Sequence, residues 1–262
     1  MPTCEVNNVK LYYEVQGNGQ PIVFTHGASW NHKQWEQQVD YFSSLYQTVV
    51  WDVRGHGYST LPAGEVDSNE FSQDLIGLLD HLGIRSAVLC GLSMGGHISL
   101  QTAFTYPERV TGLILIGTPF TNTFNWYEKL LVPFNRWSSR LISMKQSAKL
   151  SAKMLSKFNP DNQAYIEEAM QMIPHHNWVR LWDAITRMES RDGLHKVVCP
   201  TLLLCGDHDT MTLRQQSYME THIPGAELRI VKDAHHATNL DNPQEVNRFV
   251  EQFLKQVGKN LL

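Results

Sequence analysis

Cysteine is scarce in this 262-residue chain, with four in all: Cys4, Cys90, Cys199 and Cys205. Cys90 and Cys205 close apolar, strand-like runs and Cys199 precedes Pro200, so they read as small core residues, not as a disulfide framework. The N-terminus passes from Met1-Pro2-Thr3-Cys4 into strand-like Val9-Lys10-Leu11-Tyr12-Tyr13 with no basic and apolar leader pattern. A reduced, cytoplasmic protein is expected. No segment reaches the ~18 apolar residues of a membrane span, so no membrane partner is expected. There is neither H-E-x-x-H nor paired-ligand spacing among the 12 histidines, and hence no expected metal. No G-x-G-x-x-G follows a strand and no G-x-x-x-x-G-K-[ST] occurs, which leaves a nucleotide cofactor unsupported. The net charge of −4 and pI near 6.3 argue against nucleic acid or anionic lipid and favour a small, weakly charged ligand. Repeats and low-complexity tracts are lacking too. With 42% apolar content the chain can bury one domain's core, with room for an inserted subdomain, while its oligomeric state stays open.

What is present begins with Gly91-Leu92-Ser93-Met94-Gly95, lying between the apolar run Ala87–Cys90 and a helix-like stretch from Gly96 to Tyr106. That context puts Ser93 on a strand-to-helix turn. A serine hydroxyl is a weak nucleophile at neutral pH, and a sharp turn lifts its Oγ out of the sheet toward a general base. Side chains at Gly91 or Gly95 would collide with the neighbouring strand or helix. The N–H of Met94, directly after the serine, is one donor available to an oxyanion. Cys90 is no rival nucleophile, because the turn position itself is serine.

Downstream, the strand pattern Thr201–Cys205 leads to Gly206-Asp207-His208-Asp209, and a further pattern, Glu227–Val231, leads to His235-His236. Serine, acid and histidine thus follow in the order Ser, Asp, His, each just past a strand's C-terminal end, where catalytic groups gather in open parallel sheets. Chemistry alone leaves two carboxylates and two histidines in play. His26, Arg54, His56 and His97 read as loop anchors or packed side chains.

Strand patterns recur at 21–25, 48–52, 87–90, 112–117, 201–205 and 227–231, most followed by helical spacing, as in Phe71, Leu75, Leu78, Leu79 and Leu82, with Asp67 or Ser68 as a candidate cap. Such alternation predicts an α/β fold, a mostly parallel sheet covered on both faces. The first two strands, turning at Asn7-Asn8, are expected as an antiparallel edge. Continuous Leu-Ile-Leu-Ile at 113–116 predicts a central strand.

Together the elbow, His26-Gly27 after Pro21–Phe24, Asp52-Val53-Arg54-Gly55-His56-Gly57-Tyr58-Ser59 after a strand, and Tyr106-Pro107-Glu108-Arg109-Val110 resemble the α/β-hydrolase superfamily over nearly the whole chain. The resemblance implies an α/β-hydrolase fold with the acid at Asp209, the histidine at His236 and a second oxyanion donor at Ala28. Asp207 is left to bond the loop, and Asp241 stands where the family usually has Glu.

From about Pro119 to Lys196 strand patterns cease and helical spacings replace them, including Leu150-Met154-Phe158, Ile166-Met170 and Trp178-Trp182-Ile185. By resemblance, 119–196 is a helical cap inserted after the sixth strand into a core of 1–118 and 197–262. Its concentrated aromatics, Trp126, Phe134, Trp137, Trp178 and Trp182, are candidate pocket residues. The stretch His236–Pro243 is similar to that of enol-lactonases and related esterases. The implied activity is a serine hydrolase cleaving a small, largely apolar carboxylic ester or (enol-)lactone through an acyl-enzyme, without a cofactor. Carbon–carbon bond hydrolysis and cofactor-free perhydrolysis are same-class alternatives, and a slow ligand-sensing receptor is the alternative from another class.

Overall fold

Residues 2–259 are described by the structure, a computed structural model, and from β3 to β6 and again from β7 to α10 strands are followed by helices. The order is β1 (Thr3–Val6), β2 (Val9–Gln16), β3 (Pro21–Thr25), α1 (Glu36–Phe42), β4 (Gln47–Trp51), α2 (Glu70–His81), β5 (Ala87–Leu92), α3 (Met94–Thr105) and β6 (Val110–Ile116). Four helices follow: α4 (Glu128–Ser138), α5 (Met144–Leu155), α6 (Asn162–Gln171) and α7 (His175–Arg187). Then come β7 (Thr201–Gly206), α8 (Leu213–His222), β8 (Ala226–Val231), α9 (Thr238–Asp241) and α10 (Pro243–Lys259).

The eight strands form one sheet in the order β1-β2-β4-β3-β5-β6-β7-β8. Asn7 and Asn8 join β1 to β2 with φ of 48° and 61°, two successive left-handed residues of the kind asparagine tolerates in a tight hairpin. β2 also runs antiparallel to β4, and every later pair is parallel. The apolar runs explain the centre: β5 and β7 are buried at every residue, and Leu113–Ile116 of β6 have no exposed surface. The chain lays β4 on one side of β3 and β5 on the other, so the strand order reverses there. Loops leaving β3 and β5 therefore open into a crevice at their C-terminal ends.

Two local expectations change. Helix α2 has Asn69 as its N-cap with no side-chain cap bond, because Asp67 is spent one turn earlier, accepting from the Asn69 N–H at 2.9 Å. In α5 the buried stripe is Met144, Ala148 and Ala152, and Leu150 and Met154 are exposed. Small residues face inward because α5 packs closely against α6, whose Ile166 and Ala169 are also buried.

Between β6 and β7, α4 has no buried residue. Trp126 is 77% exposed, Phe134 62% and Trp137 55%, and none of the three lines the cavity described below, contrary to the expectation from sequence. Phe134 and Trp137 belong to a face of α4 turned to solvent, and Trp126 lies in the turn just before that helix. Trp178 and Trp182 on α7 do reach the cavity wall, stacked with ring centroids 5.1 Å apart.

Candidate active site

Ser93 sits at the β5–α3 junction with φ 54° and ψ −114°, a left-handed conformation that a non-glycine residue holds only where its surroundings enforce it. The enforcement is steric. A Cβ on Gly91 would stand 2.3 Å from the backbone of Gly95, and one on Gly95 would stand 2.1 Å from the carbonyl oxygen of Thr25. Helix α3 thus starts hard against β3 and β5, and Ser93 projects from the turn.

His236 Nε2 lies 3.0 Å from Ser93 Oγ, and His236 Nδ1 lies 2.9 Å from Asp209 Oδ2. A carboxylate only accepts, so Nδ1 carries the proton and Nε2 presents its lone pair to the serine hydroxyl. Burial pushes the Asp209 carboxyl up. Hydrogen bonds from His236, Thr212 Oγ1 (2.6 Å) and the Met211 N–H (3.0 Å) outweigh that and hold it below the usual carboxylate range. Asp207 Oδ1 instead accepts from the Ala234 N–H at 3.2 Å, and the structure brings Asp209, not Asp207, to the histidine. The neighbouring His235 turns away, its ring stacked on Phe158. Its backbone N–H donates to Asp241 Oδ2 at 2.9 Å.

Ala28 and Met94 both line the cavity beside Ser93. The Met94 N–H lies in the first turn of α3, where no intrahelical acceptor exists. The Ala28 loop is held from several sides. Gln34 Oε1 accepts from the Gly27 N–H at 2.8 Å, and His26 Nε2 accepts from the Val53 N–H at 3.0 Å. His26 Nδ1 must then donate to the Gly27 carbonyl at 2.8 Å, the role of a neutral ring, and burial lowers its pKa to about 4. Arg54 lies buried against Asp74 and Glu70, organising the same face of the sheet. His97 donates to or accepts from Ser190 Oγ at 2.7 Å, and burial lowers its pKa to about 3.

A cavity of about 480 Å³ opens over Ser93. Its apolar wall includes Trp30, Met170, Trp178, Trp182 and Met211, and Asn122, Asn135 and Ser139 contribute polar groups. Trp30, Met170 and Met211 were not singled out from the sequence. Nothing in a single chain marks which apolar loop residue faces a cavity and which faces the core. Thr212 was legible in principle, since a threonine three residues after an aspartate commonly bonds back to it. All four cysteines are buried and unpaired, and burial pushes the Cys90 thiol far up. Among the described residues no group of three or more His, Cys, Asp or Glu is placed to hold a metal ion.

The family model for the alpha/beta hydrolase fold matches residues 20–243, and the chain belongs to that family. It is similar to 3-oxoadipate enol-lactonase 2 of Acinetobacter baylyi, 25% identical with 97% of this chain and 96% of the relative covered. Among solved structures, the enol-lactonase of Burkholderia xenovorans LB400 superposes with a TM-score of 0.88 at 25% identity, covering 97% of this chain and all of that one. A thermophilic esterase from Thermogutta terrifontis gives 0.86 at 25% identity, with 97% of both chains covered.

Proposed function

We propose that the protein is a serine hydrolase that cleaves small, largely apolar carboxylic esters or (enol-)lactones through an acyl-enzyme. The observation that carries this reading is the relay Ser93–His236–Asp209, with its 3.0 and 2.9 Å contacts, at the wall of a largely apolar cavity. The similarity to enol-lactonases and an esterase supports the same substrate class.

In this reading Ser93 Oγ attacks the carbonyl carbon as its proton passes to His236 Nε2. The Ala28 and Met94 N–H groups receive the developing oxyanion, a contribution typically worth ~3 kcal/mol per donor. His236 then protonates the departing alcohol or enolate, which in a lactone stays tethered to the acyl group. Water attacks the acyl-enzyme, gives its proton to His236, and the acid leaves as Ser93 regains its hydrogen. Asp209 fixes the ring tautomer and stabilises the imidazolium. Residues 119–196 act as a cap, with Trp178 and Trp182 as the acyl-binding surface.

Turnover of p-nitrophenyl acetate and butyrate, and of an enol-lactone followed by acid release, tests the reading. Sustained turnover at many equivalents per protein is expected. A single burst of product followed by a ligand-bound, inactive state would instead mark a ligand sensor.

A further inference from the structure

Helix α4 is amphipathic with its faces reversed. Tyr127, Leu130, Leu131, Phe134 and Trp137, continued by Leu141 in the turn beyond, recur at i, i+3, i+4, i+7, i+10 and i+14, which is one continuous helical face. Every one of them is exposed, Leu130 to 70% and Phe134 to 62%. Apart from half-buried Val132, what α4 turns inward is polar. Glu128 and Asn135 line the cavity, Asn135 Oδ1 accepts from Trp182 Nε1 at 2.6 Å, and Arg136 Nε donates to Thr186 Oγ1 at 2.6 Å. A monomer's largest exposed apolar patch is typically about 300–600 Å², so six large side chains on one uncovered face point to a partner.

Charge says which partner. Residues 126–157 carry Lys129, Arg136, Arg140, Lys145, Lys149, Lys153 and Lys157 against the single carboxylate of Glu128, while the remainder of the chain is acidic. The whole-chain charge of −4 averages over this segment, so the expectation drawn from it against anionic lipid does not take this local surface into account. Lys145, Lys149 and Lys153 form an exposed i+4 stripe on α5. A second copy of the chain is a poor occupant, because a two-fold contact would set one strongly basic patch against another. An aromatic and leucine face with Trp126, Tyr127 and Trp137 among its residues and Lys129 and Arg140 beside it has the chemistry of a helix lying in a lipid headgroup layer.

We propose that residues 126–141 dock on the surface of an anionic phospholipid bilayer, with α4 lying flat and its apolar face in the headgroup region. Among the described residues no helix is long and apolar enough to cross a membrane, so the contact is peripheral. Because Glu128 and Asn135 line the cavity from the inner side of the same helix, docking holds the cavity beside the lipid.

Flotation of the full chain with vesicles tests this. With mixed phosphatidylcholine–phosphatidylglycerol vesicles the protein floats, less so as salt is raised and far less with phosphatidylcholine alone. The Leu130→Glu/Phe134→Glu variant stays in the buffer, with melting temperature and p-nitrophenyl acetate turnover unchanged. Neutralising the stripe (Lys145→Gln/Lys149→Gln/Lys153→Gln) weakens binding to the anionic vesicles by about fivefold per charge removed. The proposal is overturned if the wild-type chain does not float, if the double variant floats equally well, or if neutral and anionic vesicles bind alike. A lipid-free dimer in sedimentation velocity that the double variant dissolves, without vesicle binding, would assign the face to a second copy instead.

Discussion

Thr212 Oγ1 donates a 2.6 Å hydrogen bond to Asp209 Oδ2, the same oxygen that accepts from His236 Nδ1 at 2.9 Å. A bond to an ionised acceptor is worth about 1.5–3 kcal/mol, and this one is made one residue removed from the reacting atoms. Thr212→Val is therefore expected to lower kcat roughly tenfold with little change in KM, and Thr212→Ser to restore it. Steady-state kinetics of the two variants check this, and a fully active valine variant would remove Thr212 from the relay.

The two loop carboxylates should separate sharply. Asp209→Asn presents a donor to Nδ1, favours the wrong tautomer and is expected to cut kcat by roughly 10³–10⁴. Asp207→Asn keeps an amide oxygen to accept from the Ala234 N–H, touches no part of the Ser93–His236 pair and should cost far less. Greater damage at Asp207, in variants matched for melting temperature, would contradict the geometry.

Trp178 and Trp182 should discriminate by acyl length. Losing 40 to 80 Å² of apolar contact at ~25 cal/mol per Å² is worth about 1 to 2 kcal/mol, or roughly five- to thirty-fold in kcat/KM for substrates long enough to reach them. Each alanine variant is to be assayed on acetate, butyrate, hexanoate and octanoate esters. Ratios that stay level along the series for both variants would mean that these rings only hold the helices between β6 and β7 together.

Stability should fall on mild acidification. Burial lowers His26 to about 4 and His56 and His97 to about 3, whereas in the unfolded chain each takes a proton near ~6.5. Below about pH 6.5 the unfolded state binds more protons, so stability drops as pH falls. Asp241, raised to about 6 by burial, acts in the opposite sense, since its folded form holds a proton that the unfolded chain releases. The melting temperature should be nearly level above about pH 7 and decline below about 6.5, less steeply for His97→Gln and more steeply for Asp241→Asn. A melting temperature that rises from about pH 6.5 to 5 would contradict the assignment of neutral buried rings.

Much of this was legible in the chain. Apolar runs of four to six residues mark strands buried on both faces, and the spacing of Gly91, Ser93 and Gly95 marks a turn only those residues can make. Asp209 and His236 needed the family pattern, because nothing local distinguishes them from Asp207 and His235. The outward face of α4 was hidden for a different reason. Periodicity reveals that a helix has an apolar face but not which way that face turns, so Trp126 and Trp137 read as pocket residues when they are surface ones. In α5 the buried side is set by how closely α6 approaches, which favours Ala148 and Ala152 over larger Leu150. Net charge, being an average, likewise conceals a basic segment within an acidic chain.

The most direct measurement is to locate the acyl group. The protein is to be quenched in acid during turnover of a p-nitrophenyl ester, digested, and the acylated peptide sequenced by mass spectrometry, with Ser93→Ala treated in parallel. The account predicts one acyl adduct, on Ser93, and neither adduct nor turnover above the uncatalysed rate by more than the residual ~10³–10⁴ that binding and the oxyanion site supply in the alanine variant. An adduct on any other residue, or an alanine variant that keeps wild-type turnover, would contradict it.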